Sequence, residues 1–312
     1  MENKMSRYAL AALLTSLSFG NAALSGDLTA QSDFKVYKVV STFADDVGGA
    51  ERIEAAELLR TYTQEAAAAA CYLFNGIDPE IATALLLEAR HGFDRRIDAL
   101  LQGDESLGII GPEPKRKTVV ELEAIKADWR EMAKAIDVLI DQPDSVEAIQ
   151  VIKKANVPLF EKTQTLLAHL EGEYANPAEL TQRHVVTLEI VGRQALMTQK
   201  IAKDSCKIFT GNNASEIKER LNSSINIYEA SMEALISGYP PFGIPPAPTE
   251  EILNALKKVQ TDWKNTRPLL EKLLAGEVAS NDEKVFLFQH MEKEMHMLEK
   301  IAHAYVVHSK DH

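Results

Sequence analysis

The chain has 312 residues, with 34 Lys and Arg against 46 Asp and Glu and a formal net charge of −12. That length gives room for about two domains with proper cores, and the acidic balance disfavours a general nucleic-acid or anionic-membrane binder, which needs a basic surface. A hydrophobic content of 46% excludes wholesale disorder, two cysteines cannot build a disulfide scaffold, and 6% aromatics among abundant Ala, Leu, Glu and Lys favour helices over sheets.

Lys4 and Arg7 precede an uncharged run from Tyr8 to Gly20, and the small residues Asn21, Ala22 and Ala23 follow. This charged, apolar, small-residue order is that of a secretory leader, with cleavage expected after Ala22. A membrane anchor is the alternative, but the run is about 13 residues and spanning needs about 20. Removing Glu2, Lys4 and Arg7 takes the mature chain to −13. No later stretch has 18 uncharged apolar residues, so the expectation is a periplasmic protein that is not membrane-inserted, with residues 23–45 as a flexible N-terminal segment. In that oxidising compartment two lone cysteines can pair.

Compared with itself at an offset of 135, the chain matches Thr63 with Thr198, Gln64 with Gln199, Ala67 with Ala202, Cys71 with Cys206 and Phe74 with Phe209. The register continues through Phe93 and Tyr228, Gly103 and Gly238, and Gly108 and Gly243, then drifts by one to match Trp129 with Trp263. The two cysteines and the two tryptophans each fall on matched positions. A period of this size is a domain duplication rather than a solenoid.

In the first copy the apolar spacing predicts helices near 50–74, 79–102, 115–141 and 144–171. Asn75-Gly76-Ile77-Asp78-Pro79 separates the first two, with a Gly that ends one helix and a Pro that opens the next. The second copy predicts helices near 178–209, 214–236, 249–275 and 280–308. Its long break, Gly238 to Pro248, holds too many prolines for helix. The expected fold is all-α: two tandem four-helix bundles, 46–174 and 175–312, joined around Gly172 to Ala178. Four helices return the chain to its starting end, so the second bundle can stand parallel beside the first as a pseudo-dimer. Equivalent first helices would then face each other, with Cys71 near Cys206. Packed helices sit 8–10 Å apart and a bridge needs Cα atoms at about 5.5 Å, so either a bridge with close approach or two separate buried thiols fits.

Arg60, Thr63, Gln64, Ala67, Cys71 and Phe74 share one face of the first helix, and the second copy repeats it as Ala195, Thr198, Gln199, Ala202, Cys206 and Phe209. Thr–Gln pairs inside an apolar stripe need partners. Either they satisfy each other or face water, or the two first helices hold a small polar ligand between them.

The run Val191-Gly192-Arg193-Gln194-Ala195-Leu196-Met197-Thr198-Gln199-Lys200-Ile201-Ala202-Lys203 resembles the first-helix motif of the type IV pili methyl-accepting chemotaxis transducer N-terminal domain, the PilJ-type sensor module. The ligand-binding segment of nitrate/nitrite sensor kinases is similar to it. Gly76 to Glu80 and Trp129 fit the same layout, so the resemblance covers both copies. It implies a periplasmic sensor bundle working as a parallel dimer; in the nitrate sensors an Arg at the fifth motif position, one per subunit, clamps the anion across the interface. By position that residue is Arg60 in copy one and Ala195 in copy two, and Glu57 stands where the motif has Gly. Arg193 lies two residues, about 200°, from the missing Arg and is not expected to replace it simply. The candidate ligand-binding set is therefore Arg60, Thr63, Gln64, Arg193, Thr198 and Gln199, with a nitrate-like anion as one ligand.

On the last helix Glu292, His296, Glu299 and His303 form a stripe, read as an exposed flank of Glu–His pairs rather than a metal site. Lys200, Lys203 and Lys207, like Arg183 and His184, read as solvated helix charges. No nucleophile with its base, phosphate loop or zinc-hydrolase motif stands out, so neither an enzyme nor a cofactor is expected. The function expected is an exported soluble ligand-binding or sensory protein acting through a membrane sensor or transporter. The alternative is a helical envelope scaffold without a ligand.

Overall fold

A computed structural model describes residues 48–174, 182–211 and 215–310. The expected leader, the segment 23–45 and the linker after Tyr174 lie outside the described residues. Among the described residues the regular elements are helical: α1 (Gly49–Phe74), α2 (Pro79–Gln102), α3 (Arg116–Asp141), α4 (Val146–Tyr174), α5 (Gln182–Phe209), α6 (Ser215–Ser237), α7 (Glu250–Ala275) and α8 (Asn281–Lys310). Short 3-10 turns, Glu105–Leu107 and Pro240–Phe242, occupy matched places in the two long breaks. Each turn is closed by one antiparallel bridge, Asp104 with Ile109 and Tyr239 with Ile244.

Local chemistry sets the helix ends. Asp78 takes a left-handed φ of 45°, its side chain accepts from the Ile81 amide at 3.5 Å, and Pro79 opens α2. Thr249 caps α7 through the Ile252 amide at 3.2 Å, and Gly276 closes it at φ 86°.

Helices α1 and α3 each pack against α2 and α4, and α5 and α7 each pack against α6 and α8, giving two antiparallel four-helix bundles. The repeat is preserved in the packing. Trp129 stacks on Phe93 at 4.0 Å between ring centroids and donates to Asp94 Oδ1 at 2.8 Å. Trp263 lies on Tyr228 at 4.3 Å and donates to Glu229 Oε1 at 2.9 Å. In α8 the expected stripe Phe288, Met291, Met295, Leu298 and Tyr305 is buried, with Ala302 partly so.

The bundles meet mainly through α1 and α5, with α8 also reaching α1. Nearly every residue of the 26-residue α1 is buried, because neighbours cover it from both bundles. Matched residues meet along this seam. A Cβ added at Gly192 would lie 2.9 Å from Glu57 Cδ, and Cys71 is bonded to Cys206, 135 positions on. Two such meetings separated by about 21 Å of helix require α1 and α5 to run parallel, side by side, as in a pseudo-dimer. The Cα atoms of the bridged cysteines are 6.2 Å apart, within the range a disulfide spans. Small side chains permit it: Ala66, Ala68, Ala69 and Ala70 from α1, and Ala195, Ala202 and Ser205 from α5, are all buried.

Candidate functional site

The Thr–Gln pairs are buried on the seam, and the protein itself supplies their partners. Thr63 and Thr198 donate back along their own helices, to the Arg60 carbonyl at 2.8 Å and the Ala195 carbonyl at 2.7 Å. Gln64 donates to Thr63 Oγ1 at 3.2 Å and accepts from Lys203. Gln199 instead donates to Glu292 Oε2 at 3.3 Å. These four side chains therefore belong to internal networks that differ between the copies, because one glutamine faces an ammonium and the other a carboxylate.

Lys203 corrects the expectation of a solvated charge. It is buried at the junction of α1, α4 and α5, where it donates to Gln64 Oε1 and, at 3.1 Å, to Asn156 Oδ1. Asn156 in turn donates to the Thr63 carbonyl at 2.7 Å. Burial pulls the Lys203 ammonium down to about 7, with Lys207 adding repulsion, since its direct partners are neutral carbonyl oxygens. No sequence signal separates Lys203 from its neighbours: α4 brings Asn156 to Lys203 and lays the Phe160 ring against a partly buried Lys200, while Lys207 pairs with Asp204 at 3.3 Å.

Arg60 and Arg193 come together in a way the helical-wheel argument did not anticipate. Both line one cleft of about 380 Å³ between α1, α4 and α5, with Glu161, Gln164, Thr165, His169, Glu171 and Glu189. Arg193 reaches it although it is not matched to Arg60, because α5 lies against α1 along its length and the long guanidinium arm spans the offset. Each arginine has a carboxylate of its own: Arg60 pairs with Glu57, and Arg193 with Glu189. Burial raises Glu57, with Arg60 and Arg193 opposing. Burial likewise pushes Glu171 up to about 7, reinforced by Glu57. Arg193 falls to about 10 through burial and the repulsion of Arg60.

Two guanidiniums and three carboxylates (Glu57, Glu171, Glu189) thus share a small volume. Several of their atoms have no hydrogen-bond partner in the protein: Arg60 Nε, Arg193 Nε, Glu57 Oε1, Glu171 Oε1 and Glu189 Oε2. A site of this kind offers both donors and acceptors. It carries no surplus of positive charge with which to hold a bare anion. Glu171 and Glu189 were missed in the sequence because a glutamate on a helix flank is unremarkable until another helix covers it.

The flank of α8 also departs from expectation. Glu292 is buried, and His296 lies between it and two further carboxylates: Nε2 is 3.0 Å from Glu292 Oε1 and 3.8 Å from Glu88 Oε2, and Nδ1 is 3.5 Å from Glu299 Oε2. The bonds to Glu292 and Glu299 raise His296 to about 10. His303 does remain exposed, beside Glu54 at 3.4 Å.

Two helical bundles joined along parallel first helices, with a buried mixed-charge cleft on that seam, define a modular helical domain. The family model described as type IV pili methyl-accepting chemotaxis transducer N-term (PilJ) matches residues 42–155 and 184–284, and the chain belongs to this family. A search of curated proteins finds no match to the chain. Among the described residues, no helix is long and apolar enough to cross a membrane.

Proposed function

We propose that this is an exported sensory or ligand-binding protein whose ligand sits in the Arg60–Arg193 cleft, and which passes its state to a membrane sensor or transporter. The observation that carries the reading is the set of unpartnered donor and acceptor atoms on Arg60, Arg193, Glu171 and Glu189 around one cleft at the seam of two PilJ-type bundles. Buried polar atoms left without partners are costly, and a ligand that satisfies several of them recovers that cost.

The charge balance narrows the ligand class. With every carboxylate ionised the group is negative by one, and with Glu171 protonated it is neutral. A small neutral or zwitterionic molecule with both donors and acceptors suits it better than nitrate, which would face Glu57 and Glu189. Thr63, Gln64, Thr198 and Gln199 act as the frame that sets the spacing of α1 and α5 rather than as ligand contacts.

Thermal-shift measurement against a panel of small zwitterions, amides and anions tests this, with Arg60→Ala and Arg193→Ala as controls. A stabilising compound whose effect disappears in both variants supports the cleft. No shift across the panel would favour the scaffold reading instead.

A further inference from the structure

On a different face of α1, about 140° around its axis from Arg60, a second polar cluster joins the two bundles. Glu88 of α2 and Glu292 and His296 of α8 each present a ligand-type atom, all within 4.8 Å of one another. Glu65 of α1 is electrostatically coupled to this group without being one of its three ligand positions: it is fully buried, neither carboxylate oxygen has a hydrogen-bond partner, and the charges it feels most are Glu292, Glu88 and Glu299. Arg96 is the cation it feels most, and that guanidinium lies over the Tyr62 ring, 5.0 Å from the centroid.

From these positions we infer that Glu88, Glu292 and His296 form a binding site for a divalent transition-metal ion of the zinc class, with a fourth position left to water. The ligand spacing suits it. A tetrahedral ion with bonds of about 2.0–2.1 Å holds its donors about 3.3 Å apart, and His296 Nε2 stands 3.0 Å from Glu292 Oε1 and 3.8 Å from Glu88 Oε2. The surroundings are built as metal sites are. His296 presents Nε2 to the cluster while Nδ1 faces Glu299, the carboxylate–imidazole arrangement that orients a ligating histidine. The other oxygen of Glu292 accepts from Gln199 at 3.3 Å, which fixes that carboxylate from α5. Glu88 and His296 are partly exposed, so an ion has a way in. Two carboxylates and one imidazole, with no thiolate, select a borderline or hard divalent ion rather than copper(I).

The site belongs to one side of the pseudo-dimer alone. The position matched to Glu65 is Lys200, whose ammonium lies over the Phe160 ring at 5.5 Å from the centroid. An ion here would tie α2 of the first bundle to α8 of the second, as a clamp separate from the disulfide.

The test is zinc titration of tag-free, chelator-stripped, oxidised protein by calorimetry, with cobalt(II) absorption as a reporter of tetrahedral N/O ligation. One zinc per chain with micromolar or tighter affinity is expected, together with a rise in melting temperature. Glu88→Gln, at a partly exposed position that should not disturb folding, and His296→Ala should each weaken binding at least tenfold. Glu299→Gln should weaken it by roughly ten- to a hundredfold through loss of imidazole orientation. His303→Ala and His308→Ala, checked in parallel, should bind as the parent does. Absence of stoichiometric binding would overturn the site, as would binding that survives both Glu88→Gln and His296→Ala. In either case Glu65 would be a neutral carboxylic acid buried for structural reasons.

Discussion

Reducing the Cys71–Cys206 bridge is the most quantitative perturbation of the seam. The bond closes a loop with a sequence separation of 135 and therefore restrains most of the first bundle in the unfolded chain. Loop-closure entropy for that length amounts to about 5 kcal/mol at 25 °C. In a chain of this size that corresponds to a fall in melting temperature of about 10 °C. The native side changes little, because Cys71 and Cys206 are both buried and their surroundings are already small and packed. Urea unfolding at pH 7 of the same protein, oxidised and after equilibration with a phosphine reductant, measures the difference without removing a sulfur atom. Non-reducing peptide mapping of the oxidised sample verifies that the bridge joins these two cysteines within one chain. A loss of about 3–5 kcal/mol is expected. A difference below about 1 kcal/mol would refute the reasoning, since it would mean that the unfolded chain gains almost no freedom when the bundles are uncoupled.

Other predictions bear on the buried charges. Glu171 and Glu294 are raised to about 7 and about 8, both chiefly by burial, so the folded state holds these protons more tightly than the unfolded chain. Their contribution is complete below the ordinary carboxylate range and is lost as pH rises through 7 and 8; stability in urea unfolding should fall from pH 5 to 8, by on the order of 3 kcal/mol from Glu171, and Glu171→Gln should flatten the profile. Lys203, lowered to about 7, acts with the opposite sign: stability gains between about pH 7 and 10.5, and Lys203→Met should abolish that gain in urea titrations. Glu57→Gln breaks the buried pair with Arg60 and should destabilise by about 3 kcal/mol, while giving nitrate a larger thermal shift than in the parent protein; an unchanged nitrate response would show that Glu57 does not guard the cleft. Arg52 is buried and bonds to the Leu100, Ile110 and Gly111 carbonyls and to Glu113, tying the loop after α2 to α1. Arg52→Ala should therefore cost about 3–5 kcal/mol in chemical unfolding.

Helix positions were legible because their causes are local. The Asn-Gly-Ile-Asp-Pro break, the proline-rich segment from Gly238 and the 3.6-residue apolar spacing act within a turn or two of chain, and the observed helices begin and end within a few residues of the expected bounds. The duplication was legible for a similar reason. A matched Trp, its aromatic neighbour and a carboxylate keep their spacing to within one residue in both copies and make the same contacts. The polar face of the first helices was legible as a pattern, yet its roles were not. Gln64 and Gln199 are the same neutral amide at matched positions and take oppositely charged partners, Lys203 in one case and Glu292 in the other.

The opening counts set the limits within which the tertiary structure made its choices. A surplus of acidic residues disfavoured a basic binding surface, few aromatics favoured helices over sheets, and the repeat turned two domains into one domain written twice. Which of those charges would be buried was decided only when α1 was enclosed by α2, α4, α5 and α8. Glu65 and Lys203 look like ordinary helix charges in the sequence, and each is removed from water by helices distant in the chain. Apolar periodicity reports what a helix must hide. Burial of a particular charge depends on which distant side chains arrive beside it, and no local pattern encodes that.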